Sequence, residues 1–253
     1  MNLFDLSGKV AIVTGSSKGI GRSIAAQIAR HGAKVVISSR KAAPCEEVAA
    51  EITRQGGTAI AVPANISEKA HMENLVAETR RQLGPVDIVV CNAASNPHYG
   101  PMMSLPDDMF DKIMRNNILS SLWLVKLALP DMQAKKDGAV ILISSIAGIK
   151  GSETLGAYGV SKAADMALVR NLAIELGCDN IRVNAIAPGL IKTDFAKPLW
   201  DSKENSDYFL GSQSIKRLAE PDDIGGIAVM LAAPAGRFVT GQVIVADGGA
   251  TIT

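Results

Sequence analysis

Aromatic residues and cysteine are scarce in this chain. Of its 253 residues, 4% are aromatic and three are cysteines, against 47% hydrophobic residues overall. Cys45, Cys91 and Cys178 are odd in number and far apart, which argues against a disulfide framework and indicates a reducing compartment. The length and the mainly aliphatic hydrophobic content fit the core of one α/β domain.

Long apolar runs and runs of like charge are also missing. No segment approaches the roughly 20 apolar residues of a membrane helix, and the first residues lack the apolar stretch of a signal peptide. The 26 basic and 25 acidic residues nearly balance, and no cluster of one sign indicates a nucleic-acid or membrane partner. We therefore expect a cytoplasmic protein that acts on small molecules.

Metal ligands at suitable spacing are a further absence. The three histidines, His31, His71 and His98, do not combine with cysteine or carboxylate in a ligand-like pattern. The sequence therefore predicts no metal site.

Short apolar runs alternate with segments of helical periodicity along the whole chain. Because neither a repeat nor a linker divides the sequence, this pattern predicts a single doubly wound parallel sheet of seven strands with helices on both faces. Helices are expected at residues 44–55, 157–177 and 221–232, with Ser67 capping another that ends at 83, and one more from 105 to before Pro130. The strands are expected at residues 9–13, 34–38, 58–62, 86–91, 140–143, 181–187 and 243–246.

A glycine-rich turn follows the first predicted strand. The sequence Thr14-Gly-Ser-Ser-Lys-Gly-Ile-Gly21 leads into a helical repeat at Ile20, Ile24 and Ile28. Glycines permit a tight turn and bring backbone N–H groups close to a pyrophosphate at the helix N-terminus. Strand, turn and helix in this order predict a dinucleotide site, and hence a Rossmann fold.

The residues after the second strand indicate which dinucleotide binds. An NAD site usually carries an acidic side chain roughly 20 residues beyond the glycines, where it binds the ribose 2′-hydroxyl. That place is held here by Ser39, Arg40 and Lys41. Arg40, helped by Lys18, can receive a 2′-phosphate. We therefore expect NADP(H) to be preferred over NAD(H), the alternative being two solvated surface cations.

Ser145, Tyr158 and Lys162 form the candidate reaction centre. Ser145 follows an apolar run, at the strand end where open α/β sheets bind ligands. Tyr158 and Lys162 are four residues apart in a predicted helix and so share one face, although this spacing also arises by chance in many helices. An ammonium favours the phenolate and is expected to lower the phenol pKa toward neutrality. Tyr158 could then act as acid or base on a substrate oxygen that Ser145 holds.

Asn117 and residues 190–212 complete the candidate site. Asn117 follows the spacing of apolar helix residues, so it should face inward and need partners, or serve as a structural bridge between helix and backbone. Residues 190–212 mix charges with Trp200 and Phe209 and are interpreted as a substrate lid. These two aromatic side chains either contact an apolar part of the substrate or pack within the lid.

In this order and spacing, the motifs resemble the classical short-chain dehydrogenase/reductase family over the whole chain. The closest resemblance is to its NADPH-dependent carbonyl reductase branch, with which the segments at 38–40, 92–97 and 188–195 agree. The matching motifs are the glycine-rich turn, Asn92-Ala-Ala, Asn117, Ser145 with Tyr158-Gly-Val-Ser-Lys162, and Pro188-Gly189 with Thr193.

The resemblance implies hydride transfer between a nicotinamide and a ketone, aldehyde or secondary alcohol. Tyr158 would donate the proton, Ser145 would position the substrate oxygen, and Lys162 would tune the phenol and bind the nicotinamide ribose. The backbone of Asn117 would hold a water that links Lys162 to solvent. The cofactor contacts that it implies are Gly15, Ser17, Lys18, Gly19, Ile20, Gly21, Ser39, Arg40, Asn65, Ile66, Asn92, Ala93, Ala94, Tyr158, Lys162, Pro188, Gly189, Ile191 and Thr193.

The chain departs from the family pattern at two of these contacts. Asn65 stands where an aspartate is common, and Ala94 stands where glycine is usual. The resemblance also implies a homotetramer built on the helices of Asn117 and Tyr158. Two other functions remain open: a 3-oxoacyl-thioester reductase of the same family, and a cofactor-sensing binding protein without catalysis, against which the intact Ser145, Tyr158 and Lys162 argue.

Overall fold

A parallel sheet forms the centre of the protein. The computed structural model describes residues 2–252, except for the side chains of residues 205, 206 and 208. The strands are β1 (Val10–Thr14), β2 (Lys34–Ser38), β3 (Thr58–Ala61), β4 (Ile88–Cys91), β5 (Gly138–Ile143), β6 (Ile181–Pro188) and β7 (Val243–Ala246). Within the described chain they make one seven-stranded sheet in the order β3-β2-β1-β4-β5-β6-β7. The predicted doubly wound parallel sheet is confirmed.

Helices cover both faces of this sheet. They are α1 (Gly19–Arg30), α2 (Ala42–Arg54), α3 (Lys69–Gln82), α4 (Asp107–Met114), α5 (Ser120–Lys135), α6 (Gly156–Leu176), α7 (Lys203–Gly211) and α8 (Asp222–Ala232). Helices α1, α2 and α8 pack on one face, and α3, α5 and α6 pack on the other. A π-helical turn at Arg115–Leu119 joins α4 to α5.

Two aliphatic cores result, one on each face of the sheet. Ala11 and Val13 of β1 pack with Ile24 in the first core, whereas Ile12 between them packs with Met72 in the second. This alternation follows from the two-residue period of a strand. Each fully buried Leu, Ile or Met contributes about 1.5–3 kcal/mol to stability, so the scarcity of aromatic residues does not prevent a large core.

Three local expectations were wrong. Ser67 does not cap α3: its hydroxyl donates to Asn116 Oδ1 at 2.8 Å, and α3 begins after Glu68 without a side-chain cap. Pro130 does not end its helix, since α5 runs through it to Lys135. Asp87 lies just before β4 rather than within it, and its carboxylate accepts from Val10 N at 2.9 Å and from Lys135.

The sheet creates a crevice at the carboxyl ends of its strands. From β1 the chain first builds outward through β2 and β3, and it then returns to place β4 on the other side of β1. Loops that leave β1 and β4 therefore diverge and open a gap, which is where ligands bind in doubly wound sheets. Helices long and apolar enough to cross a bilayer do not occur among residues 2–252.

Candidate active site

The glycine-rich turn lies at the carboxyl end of β1 and leads into α1. Gly15 has φ +66°, and a Cβ at this residue would lie 2.7 Å from Asn92 Nδ2, so only glycine fits. Within the described chain, no side chain caps the N-terminus of α1, and its first turn carries no acidic residue. The free N–H groups and the helix dipole there suit a pyrophosphate, so the turn fits a dinucleotide.

Thr14 fastens the ends of β1 and β4 together. Its hydroxyl accepts from the backbone N–H groups of Asn92 and Ala93, each at 3.1 Å. Asn92 Nδ2 in turn donates to Thr14 O at 2.8 Å and to Gly15 O at 3.2 Å. Asn92 therefore uses its side chain to hold the glycine-rich turn, and the backbone from Asn92 to Ala94 runs along the crevice.

The other end of the crevice carries the residues expected near adenosine. Arg40 is exposed directly after β2, and Ser39 Oγ lies 3.1 Å from Cys45 Sγ. Asn65 and Ile66 are half-buried, and Asn65 Oδ1 accepts from Ser67 N. Lys18 points instead to Asp194, with Nζ 3.0 Å from the carboxylate on the exposed surface. At the expected 2′-phosphate position, Lys18 is therefore engaged in an ion pair with Asp194, and Arg40 is not part of it.

Ser145, Tyr158 and Lys162 meet where β5 ends against the first turns of α6. Lys162 Nζ lies 5.6 Å from the centre of the Tyr158 ring, and the Ser145 hydroxyl interacts with the phenol. A 3₁₀ turn after Ser145 holds that serine close to α6, because a Cβ on Gly148 would lie 2.7 Å from Ala163 N. The sequence spacing therefore brings all three side chains together as expected.

Lys162 is buried, with 3% of its surface exposed. Its ammonium donates to Ile143 O at 2.8 Å and to Asp165 Oδ2 at 2.9 Å. Burial lowers the pKa of Lys162, but the charge of Asp165 and the proximity of Tyr158 outweigh burial and raise it. The lysine is therefore held as a cation beside the phenol.

The pKa of Tyr158 differs from the expectation. Burial of the phenol raises its pKa above the ordinary value and outweighs the Lys162 cation, which lowers it; Asp165 and Tyr99 raise it further, and Ser145 lowers it. In the protein without cofactor, the expectation that Lys162 brings the pKa of Tyr158 toward neutrality was therefore wrong. The reason is that desolvation and a second charge, both set by packing, act against the ammonium.

Asn117 lies within the π-helical turn and is buried. Its side chain accepts from Ser95 N at 2.8 Å and donates to Ser95 O and to Ser161 Oγ. Ser161 Oγ in turn donates to Tyr158 O. Asn117 thus faces inward as expected, and it is a bridge from the helix to the loop after β4 and to α6.

Residues 188–195 close the site from the end of β6. Gly19 and Thr193 are in contact, since a Cβ on Gly19 would lie 3.2 Å from Thr193 Cγ2. Ile191 forms a parallel bridge with Ala219, and Trp200 Nε1 donates to Thr193 O at 3.1 Å. Trp200 therefore contacts Thr193 within the expected lid, which agrees with packing inside the lid, one of the two roles considered for it.

Two residues of the site were missed by sequence reasoning. The Phe195 ring lies 6.0 Å from that of Tyr158 at an interplanar angle of 48°. Asp165 is buried against Lys162. A signal for Asp165 was available, because it is an acidic residue three positions after Lys162 in an otherwise apolar stretch of helix. Phe195 gave no signal, because its contact with Tyr158 depends on how the chain folds after β6.

Metal-binding groups do not add to this site. In the described part of the chain, no three His, Cys, Asp or Glu side chains gather closely enough to hold a metal ion. His98 is half-buried in the loop after β4, with Nε2 3.3 Å from Pro101 O.

Known proteins resemble the chain over nearly its whole length. A family model described as enoyl-(acyl carrier protein) reductase matches residues 15–251. Dehydrogenase/reductase SDR family member 4 of Oryctolagus cuniculus is 39% identical over 245 residues, covering 97% of this chain and 94% of that protein.

Solved structures give the same picture. A gluconate 5-dehydrogenase from Burkholderia cenocepacia in complex with NADP and tartrate has a TM-score of 0.95 at 28% identity, covering 100% of this chain and 98% of that one. A 7α-hydroxysteroid dehydrogenase complexed with NADH and 7-oxo glycochenodeoxycholic acid has a TM-score of 0.94 at 37% identity, covering 98% and 96%.

Proposed function

Because the chain belongs to the short-chain dehydrogenase/reductase family, we propose that it is an NADP(H)-dependent carbonyl reductase. Family membership makes it an oxidoreductase of alcohol and carbonyl groups with a nicotinamide cofactor. The proposal adds the reducing direction, a ketone or aldehyde as substrate, and the preference for the phosphorylated cofactor.

In this proposal Tyr158 is the proton donor. Its hydroxyl gives a proton to the substrate oxygen during reduction and takes one back during alcohol oxidation, and the Ser145 hydroxyl donates a hydrogen bond to the same oxygen. A bound reduced nicotinamide supplies the hydride. Lys162 favours the phenolate through its charge and also binds the nicotinamide ribose, while Asn117 holds the water path that returns the proton.

The proposal is supported most strongly by the position of the ammonium at Tyr158. The buried Lys162 Nζ lies 5.6 Å from the ring centre, and it donates to the carbonyl of Ile143 at the end of β5, the strand that Ser145 follows. This arrangement serves proton transfer at a carbonyl oxygen, and a protein that only binds a nucleotide has no use for it. The non-catalytic alternative is therefore disfavoured.

Consumption of NADPH with a panel of ketones, aldehydes and diketones tests the proposal. Reduction needs the protonated phenol, so its rate should fall as the pH rises through the pKa of Tyr158, and alcohol oxidation should rise over the same interval. Tyr158→Phe should reduce both rates by about 100-fold or more, because a general acid typically contributes that much. Turnover by Tyr158→Phe equal to that of the wild type would refute the proposed role.

A second candidate is reduction of a 3-oxoacyl thioester. The description of the matching family model, enoyl-(acyl carrier protein) reductase, shares only the acyl carrier with this candidate, because an enoyl group is reduced at its carbon–carbon double bond. The reacting group is again a ketone, so the same four residues would serve and only the pocket walls differ. Acetoacetyl thioesters measured beside simple ketones separate the two, since a thioester reductase should show the higher kcat/KM with the thioester.

Preference for NADP(H) is supported by Arg40 and by the lack of an acidic side chain between residues 38 and 45. Relatives use either cofactor: the gluconate 5-dehydrogenase is bound to NADP and the 7α-hydroxysteroid dehydrogenase to NADH. We propose that this chain follows the former. Steady-state kinetics with both cofactors tests it, and an equal or better kcat/KM with NADH would contradict it.

A substrate lid at residues 190–212, a homotetramer and a cytoplasmic location are parts of the same proposal. Phe195 over Tyr158 supports the lid. Ile174 on α6 supports an interface, because it is apolar and 84% exposed in the single chain. Light scattering tests assembly: the wild type should have four times the chain mass, and Ile174→Asp should lower it.

A further inference from the structure

Asp165 is a buried carboxylate in direct contact with the proposed reaction centre. It lies on α6, one turn after Lys162, and 2% of its surface is exposed. Oδ2 accepts from Lys162 Nζ at 2.9 Å, whereas Oδ1 is buried without a hydrogen-bond partner in the described structure. A half-satisfied buried carboxylate is costly, and a role in fold stability alone accounts for it poorly.

We propose that Asp165 is a positioning residue, which fixes the Lys162 ammonium against β5 and offsets part of its positive charge at the Tyr158 phenol. An ammonium has three N–H donors. Asp165 and Ile143 O take two of them, so the third is left for the cofactor ribose or a water. This inference rests on the proposed carbonyl reductase function.

The charges around Tyr158 and Lys162 are few. On α6, Asp165 faces the ammonium; burial raises the pKa of its carboxyl above the ordinary value and outweighs Lys162, which lowers it. Cys91 at the end of β4 also faces Lys162, but burial raises the pKa of its thiol to about 12, so it stays neutral. Tyr99, from the loop after β4, also faces the phenol and raises its pKa. Asp165 is the carboxylate in this group of side chains.

The sign of its effect follows from the coupling of the pair. Tyr158 and Lys162 interact so closely that protons leave them in steps that belong to the pair and not to one residue. Removing the negative charge of Asp165 makes the loss of the first proton easier, whichever of the two groups releases it. Alcohol oxidation needs the deprotonated form of this pair, so the pH at which its rate rises should shift to a lower value.

Asp165→Asn separates charge from geometry. The amide oxygen can still accept from Lys162 Nζ, so the position of the ammonium is kept while the charge is lost. The midpoint of the rise of kcat for alcohol oxidation with pH should shift down by about one pH unit, the lower end of the effect of a nearby charge. Asp165→Glu keeps the charge, and its midpoint should differ from that of the wild type by less than about half a pH unit. Asp165→Leu also removes the anchor, and kcat should then fall about 10- to 100-fold through misplacement of Nζ.

Asp87→Asn is a matched control at the amino-terminal ends of the strands, away from the site at their carboxyl ends. Asp87 is also buried and paired with a lysine, Lys135, at 2.7 Å. Its loss should lower the melting temperature, as loss of Asp165 should, but it should leave the pH profile unchanged. Melting temperatures of all variants show that the measured samples are folded.

A second readout makes the test independent of turnover. Ultraviolet titration of the phenols, with Tyr158→Phe subtracted, reports the ionisation of Tyr158 directly. Its midpoint should also move down in Asp165→Asn. A midpoint that stays or moves up in the titration refutes the inference, even in a protein that reduces no carbonyl. Absence of turnover together with a lowered midpoint refutes only the proposed function.

Discussion

Arg40 and Lys18, the two cations proposed to recognise the cofactor, differ in their surroundings. Both were expected at the 2′-phosphate, but Lys18 is engaged with Asp194 on the surface, whereas Arg40 is exposed beside the crevice. A guanidinium matches phosphate geometry through two parallel hydrogen bonds, which a lysine cannot form. Discrimination between the cofactors should therefore depend mainly on Arg40.

Arg40→Ala should raise the KM for NADPH about 10- to 100-fold and leave the KM for NADH nearly unchanged. The loss corresponds to one charge-assisted contact of about 1.5–3 kcal/mol. Steady-state kinetics with both cofactors measures it. Lys41→Ala removes the adjacent exposed cation and is the matched control, for which we expect less than about a threefold change. An equal rise for both cofactors in Arg40→Ala would show that Arg40 does not read the phosphate.

At the scale of elements, the glycine-rich turn has a strict steric requirement. Gly15 combines φ +66° with a Cβ position 2.7 Å from Asn92 Nδ2, and this amide holds the turn to β4. A methyl group would both strain the backbone and displace Asn92. A distorted turn should weaken cofactor binding before it affects other properties, because the N–H groups of the turn would no longer converge on the pyrophosphate.

Gly15→Ala should therefore weaken NADPH binding by at least about 10-fold, since a strained backbone costs about 1–3 kcal/mol. Fluorescence titration of NADPH measures the affinity. Gly56→Ala is the control, because Gly56 also has positive φ, at +86°, but has open space around its Cβ position and lies far along the chain after α2. It should lose some stability and keep its affinity, and a comparable loss of affinity in both variants would contradict the steric argument.

The elements themselves were largely predictable, for a physical reason. Strands buried on both faces read as continuous apolar runs, so the runs at 34–38 and 243–246 coincide with β2 and β7, and the others differ from the observed strands by one or two residues at an end. The expectations that failed concern side chains whose partners are remote in sequence. Ser67 found Asn116 rather than its own helix, and the pKa of Tyr158 responds to burial that no local pattern encodes.

For the whole molecule, the two cores have a common consequence: damage to either one should destabilise the entire sheet. Leu75 on α3 is fully buried in the core that also holds Met72 and Leu124. Each core shares every strand with the other, since neighbouring residues of a strand point to opposite faces. Unfolding should therefore be one cooperative transition.

Leu75→Ala should lower the free energy of unfolding by about 2–5 kcal/mol through lost burial and the cavity left behind. Chemical denaturation followed by circular dichroism measures it. Leu3→Ala truncates a leucine that is 46% exposed, and it should change stability by less than about 1 kcal/mol. Two separate transitions in Leu75→Ala would show that the two faces unfold independently.

The hydroxyl of Thr14 accepts from two amides of the loop after β4 and so fixes the width of the crevice in the free protein. A dinucleotide should then enter a slot whose walls are held before it binds, so that little of its binding energy is spent on rearranging the sheet. If residues 190–212 form the proposed lid, new substrate specificities could arise by changes in that segment without disturbing the Thr14 contacts.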